Sequence, residues 1–154
     1  PPLAMTPLVP NMLRCSKNIY AIAAGIAHGL GYGDNFQSVL MSNAIREMKN
    51  FIKKVHKMKR NINDSAYLGD LLVTGYSVFS RNRMFGNMIG KGYTVKSAQM
   101  EMSMVAEGYY AAESAFKINQ ELGAKSPIIN AVYQVLYKGK DPNMTFKKLT
   151  EKLD

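Results

Sequence analysis

Tryptophan is absent from the 154 residues, and cysteine occurs once, at Cys15. A lone cysteine excludes an internal disulfide framework and fits a reducing compartment, so a cytoplasmic setting is expected. Histidine is almost as scarce. His28 and His56 are the only two, and with a single cysteine they offer no recognisable metal-ligand spacing, so no metal is expected. Long hydrophobic runs are also missing. The longest, Ile19 to Ala27, is too short to span a bilayer. No basic segment leads into an apolar one at the N-terminus, which argues against a secretory signal. No stretch alternates apolar and polar residues convincingly enough for a strand, and no internal repeat is visible.

Hydrophobic residues make up 47% and charged residues 20%, an ordinary globular balance in a chain long enough for one domain with its own core. Eleven methionines suggest a core filled partly by flexible side chains. The formal net charge of +9 would suit nucleic acid, an anionic surface or an anionic substrate. The densest basic run, Lys53 to Arg60, reads best as a solvated helix end, where cations also suit the helix dipole. No nucleic-acid recognition motif accompanies it, so nucleic acid is not expected as a partner.

The pattern is all-α, with about seven helices. Pro1, Pro2, Pro7 and Pro10 predict an irregular lead-in over residues 1–13, because proline removes a donor and restrains its predecessor. A helical unit over 14–154 follows. From about Asn11 to Leu30, the residues Ile19, Ile22, Ala23, Ile26 and Leu30 recur at helical spacing as a core stripe. Lys17 is off that stripe, in line with Tyr20, Ala21, Ala24 and His28. Gly29, Gly31 and Gly33 break the helix. They do not form a dinucleotide loop, since no strand precedes them and the spacing is wrong. Asp34 or Asn35 caps a helix to Val55, with Val39, Leu40, Ala44, Ile45, Met48 and Ile52 on its apolar face. A polar loop over 57–64 leads to a helix over 65–76 and a turn into Ser80-Arg81-Asn82-Arg83. Thr94 caps a short helix through Met102. Glu107 to Leu122 form another, ended by Gly123. Ser126-Pro127 and Asp141-Pro142 each read as a cap followed by proline, opening the last two helices.

The stretch Leu68 to Arg83 holds the densest chemistry. Asp70 and Thr74 are four apart and share a helix face. Arg81 carries a planar fork of donors that suits phosphate, flanked by the neutral donors Ser80 and Asn82. On spacing alone, a helix with a solvated basic end explains these residues equally well. Three blocks in order sharpen the reading: Lys17-Asn18-Ile19-Tyr20-Ala21-Ile22-Ala23-Ala24-Gly25, then Gly69-Asp70-Leu71-Leu72-Val73-Thr74 with Ser80-Arg81-Asn82-Arg83, then Val105-Ala106-Glu107-Gly108-Tyr109-Tyr110. Together they resemble the substrate domain of NAD(P)-dependent glycerol-3-phosphate dehydrogenases, over about Lys17 to Pro142. Before Lys17 the chain departs from that family. Arg14, Cys15 and Ser16 stand where a small Gly-Ala pair is usual.

The resemblance implies a fold like the C-terminal domain of 6-phosphogluconate dehydrogenase. It also implies the substrate half of an enzyme interconverting sn-glycerol 3-phosphate and dihydroxyacetone phosphate, with a place in glycerophospholipid biosynthesis. NAD or NADP is the implied cofactor, held mainly by a dinucleotide-binding Rossmann domain that is not among these residues, so the chain alone is expected to be inactive. Lys17 would be the catalytic acid–base residue. Lys17, Asp70, Thr74, Ser80, Arg81 and Asn82 would contact substrate, and Arg81, Val105 and Glu107 would reach the cofactor. A homodimer would cover apolar surface left by an isolated half. The alternative is a helical module that binds a phosphorylated metabolite or a partner without catalysis.

Overall fold

A computed structural model describes residues 8–55, 76–102 and 106–154, and those residues form seven helices and no strand. They are α1 (Leu8–Gly29), α2 (Asp34–Val55), α3 (Tyr76–Gly90), α4 (Val95–Glu101), α5 (Glu107–Leu122), α6 (Pro127–Tyr137) and α7 (Pro142–Thr150). The expected all-α architecture is the one observed. The irregular lead-in must be corrected at its end, because residues 8–13 are already helical. Pro10 falls in the first turn, where its missing N–H has no intrahelical acceptor to lose.

α1 is the axis of the fold. From Ile19 to Ala27 its side chains are essentially inaccessible on every side, so the expected single core stripe is instead a helix buried all round. α2 turns back along it. Gln37 Nε2 donates to the carbonyl of Ala24 at 3.0 Å, and Tyr20 Oη donates to Glu47 Oε2 at 3.1 Å. The turn between them uses Gly31 at φ +97, a conformation that favours glycine.

α3 lies against α1 with no side chains between them at four glycines. A Cβ on Gly25 would sit 2.1 Å from the carbonyl oxygen of Arg83, and one on Gly86 would sit 2.2 Å from that of Ile22. Gly29 and Gly90 approach the facing helix as closely. Later residues of α1 meet later residues of α3, so the two helices run parallel. Two glycines four apart on each helix let the backbones close up. Gly29 was expected only to break a helix; it also completes this contact.

The remaining helices close the core. α5 and α6 pair antiparallel through stacked rings, Phe116 on Tyr133 with centroids 3.8 Å apart and Tyr109 on Tyr137 at 4.8 Å. The caps at α4 and α7 are those expected. Thr94 accepts from Ser97 N at 3.0 Å, and Asp141 Oδ2 accepts from Met144 N at 2.9 Å. Gly123 ends α5 at φ +67. Ser126 is the exception. Its side chain makes no cap bond at α6. Glu47, from the middle of α2, accepts there instead, from Ile128 N at 2.9 Å and Ile129 N at 3.1 Å.

Candidate functional site

The start of α5 meets the first half of α3 and the middle of α1, and four of the expected site residues, Lys17, Arg81, Asn82 and Glu107, lie at that junction. The turn expected at Ser80-Arg81-Asn82-Arg83 is not present, because all four residues lie inside α3. Being helical, they split between faces. Ser80 and Arg83 are exposed, Arg81 is partly exposed, and Asn82 points inward with no accessible surface. Asn82 Oδ1 accepts from Gly108 N at 2.8 Å. This bond caps α5, whose own N-cap position is Ala106 and has no side-chain acceptor.

Gly108 is the pivot. A Cβ there would lie 2.8 Å from the Asn18 carbonyl oxygen, 2.8 Å from Asn82 Oδ1 and 2.7 Å from Ile22 Cδ1. Asn18 on α1, Asn82 on α3 and the start of α5 are therefore packed around one point. Their sequence neighbours Lys17, Arg81 and Glu107 are carried to the same end of the domain. Arg81 Nη2 stands 3.9 Å from Glu107 Oε1, an open pair worth little to stability but one that sets an anion-binding fork beside a carboxylate. Lys17 is half-buried, and Asn18 behind it is buried.

Cys15 is half-buried at the same end. Burial pushes its thiol above the usual range, Arg14 acts against that, and the Glu107 carboxylate adds to it. It is therefore a neutral thiol, ill suited to act as a nucleophile. Asp70, Thr74 and Val105, expected at the site, lie outside the described residues. Among the described residues no cluster of His, Cys, Asp or Glu is arranged to hold a metal, and no helix is long and apolar enough to cross a membrane.

Sequence reasoning missed Gly108 and Glu47 as organisers. A glycine in the first turn of a helix signals close approach, since alanine would otherwise serve better there. Glu47 gives no such signal, because its partners, the Tyr20 hydroxyl and the amides of Ile128 and Ile129, are all far from it in sequence.

The family described as NAD-dependent glycerol-3-phosphate dehydrogenase C-terminus matches residues 11–147. A glycerol-3-phosphate dehydrogenase [NAD(P)+] of Exiguobacterium sp. is 41% identical over 133 residues, covering 86% of this chain and 39% of that protein. The Bacillus subtilis protein of the same name is 40% identical over 123 residues, covering 80% and 36%. A crystal structure of a glycerol-3-phosphate dehydrogenase from Coxiella burnetii superposes with a TM-score of 0.78 at 30% identity, covering 91% of this chain and 43% of that one. The chain thus spans about two fifths of the length of the curated relatives it matches.

Proposed function

Because the chain belongs to the NAD-dependent glycerol-3-phosphate dehydrogenase C-terminus family, we propose that it supplies the substrate-binding and acid–base half of an enzyme interconverting glycerol 3-phosphate and dihydroxyacetone phosphate in the cytoplasm. The observation that carries this reading is the packing of Asn18, Asn82 and Gly108 around one point, which brings Lys17, Arg81 and Glu107 to one end of the bundle.

The Arg81 guanidinium, with Ser80 beside it on the exposed side of α3, binds the substrate phosphate. A planar fork of donors matches two phosphate oxygens at once. Asn82 acts from beneath, its Oδ1 holding the start of α5 and hence Glu107 opposite Arg81. Lys17 takes the proton from the carbon-two hydroxyl during oxidation and returns it to the carbonyl oxygen during reduction. NAD or NADP, when bound, supplies the hydride acceptor. Arg81 and Glu107 offer a donor and an acceptor to it from this domain. Asp70, Thr74 and Val105 complete the proposed contacts on the strength of the resemblance.

The test is Lys17→Ala in the enzyme with its dinucleotide-binding portion. kcat should fall by on the order of a hundred to ten thousand fold, the usual range for a positioned acid or base. The melting temperature and dinucleotide affinity should stay close to those of the wild type. A near-normal kcat with an unchanged acidic limb of the pH–rate profile would place the base elsewhere.

A further inference from the structure

At the far end of α5 from Arg81 and Glu107 the domain has a second concavity. It has a volume of about 680 Å³ and lies between the end of α5, the 123–126 turn, α6 and the C-terminal residues. Asn119, twelve residues along α5 from Glu107, is ~18 Å away at 1.5 Å per residue, so the two sites are separate.

Two buried polar atoms line it. Asn119 is 6% and Ser126 8% exposed, and neither Asn119 Oδ1 nor Ser126 Oγ has a hydrogen-bond partner among the described residues. Buried polar atoms are normally paired, and an unpaired one is expensive. Ser126 could have paired by capping α6, the task its position predicts. Glu47 has taken that task from the other side, which leaves the Ser126 hydroxyl unpaired in the wall of the concavity. Asn130, Gln134, Lys125 and Lys152 also line it, with Gln134 Nε2 donating to Asn130 Oδ1 at 3.4 Å, and no carboxylate is found among the described residues that do. Rotation of the Ser126 and Asn119 side chains toward the concavity would give an oxyanion drawn by the two lysines a donor, and a hydroxyl on the same small molecule an acceptor.

We propose that this concavity is a second ligand site, independent of the dehydrogenase reading, for a small oxyanion that also carries hydroxyl groups. The test titrates the isotopically labelled chain with glycerate, inorganic phosphate or glycerol. Glycerate avoids the phosphorylated trioses that would address the first site. The readouts are the side-chain amide signals of Asn119, Asn130 and Gln134.

Glycerate should shift these signals saturably and bind at least about tenfold more tightly than glycerol, as a charge-assisted contact implies. Phosphate, which has the charge but no carbon-bound hydroxyl, should bind more weakly than glycerate. Ser126→Ala should weaken glycerate by about tenfold. Reversing both exposed lysines, Lys125→Glu with Lys152→Glu, should abolish binding while the backbone spectrum stays native. The proposal is overturned if no probe gives saturable shifts at the three amides, or if glycerol binds as well as glycerate. It is also overturned if the shifts spread equally to Lys147 and Lys148 and vanish at physiological salt, since that is surface screening.

Discussion

Three donors converge on Glu47: the Tyr20 hydroxyl and the amides of Ile128 and Ile129. Without them a carboxyl so deep in a helix bundle would be intolerable. Burial nevertheless dominates and raises its pKa from 4.5 to about 7, against the lowering by the two backbone amides and Tyr20. A folded-state pKa above the unfolded value means that the native state favours the protonated form. The stability this gives is complete below about pH 4.5 and is lost as the pH rises through about 7. The melting temperature of the chain should therefore fall between pH 5 and pH 8, and Glu47→Gln, which cannot ionise, should flatten that fall. Thermal melts of both proteins across this range check it. A wild-type slope retained in Glu47→Gln would assign the dependence to other groups. Lys17, Arg81 and Glu107, whose roles are those proposed above, could be singled out beforehand because each belongs to a short contiguous block. Glu47 was not, since capping from another helix has no signature local in sequence, and Ser126 before Pro127 made a plausible decoy.

At the scale of elements the helices were readable and one contact between them was not. Caps and stop signals located α4, α5, α6 and α7 closely, because Thr94, Gly123, Pro127 and Asp141 act on backbone within a turn of themselves. The polar cluster Ser80 to Arg83 misled, looking like a turn when its residues divide between the two sides of α3. The parallel seam between α1 and α3 rests on Gly25, Gly29, Gly86 and Gly90, whose partners are backbone atoms that pattern alone does not reveal. Gly86→Ala would put a methyl 2.2 Å from the Ile22 carbonyl oxygen, and backbone on both sides leaves only separation of the helices as relief. Destabilisation of about 1–3 kcal/mol or more is expected from such overpacking. Gly33→Ala is the control. Nothing lies within 4 Å of its added carbon and its φ is ordinary, so its effect should stay within about 0.5 kcal/mol. Denaturant melts decide between these outcomes. Equal stability of the two variants would mean that the seam is looser than the geometry indicates.

At the scale of the whole molecule, the question is what these 154 residues do without the rest of the length their relatives have. The core is continuous. α1 is enclosed by α2, α3, α5 and α6, and buried residues from every helix join one cluster. The chain should therefore unfold cooperatively by itself. Catalysis is another matter. The proposed site offers a dinucleotide two side chains at one open end, while strong binding of a pyrophosphate draws on a glycine-rich loop leading from a strand into a helix N-terminus. No such loop occurs in this sequence, and the described residues contain no strand. The isolated chain should give a single cooperative melt together with almost no oxidation of NADH or NADPH in the presence of dihydroxyacetone phosphate. Supplying the dinucleotide-binding portion of a relative, fused or in trans, should restore turnover that depends on Lys17. Robust turnover by the isolated chain would refute this division of labour. A chain that melts without cooperativity would show instead that the helical half takes its stability from the other one.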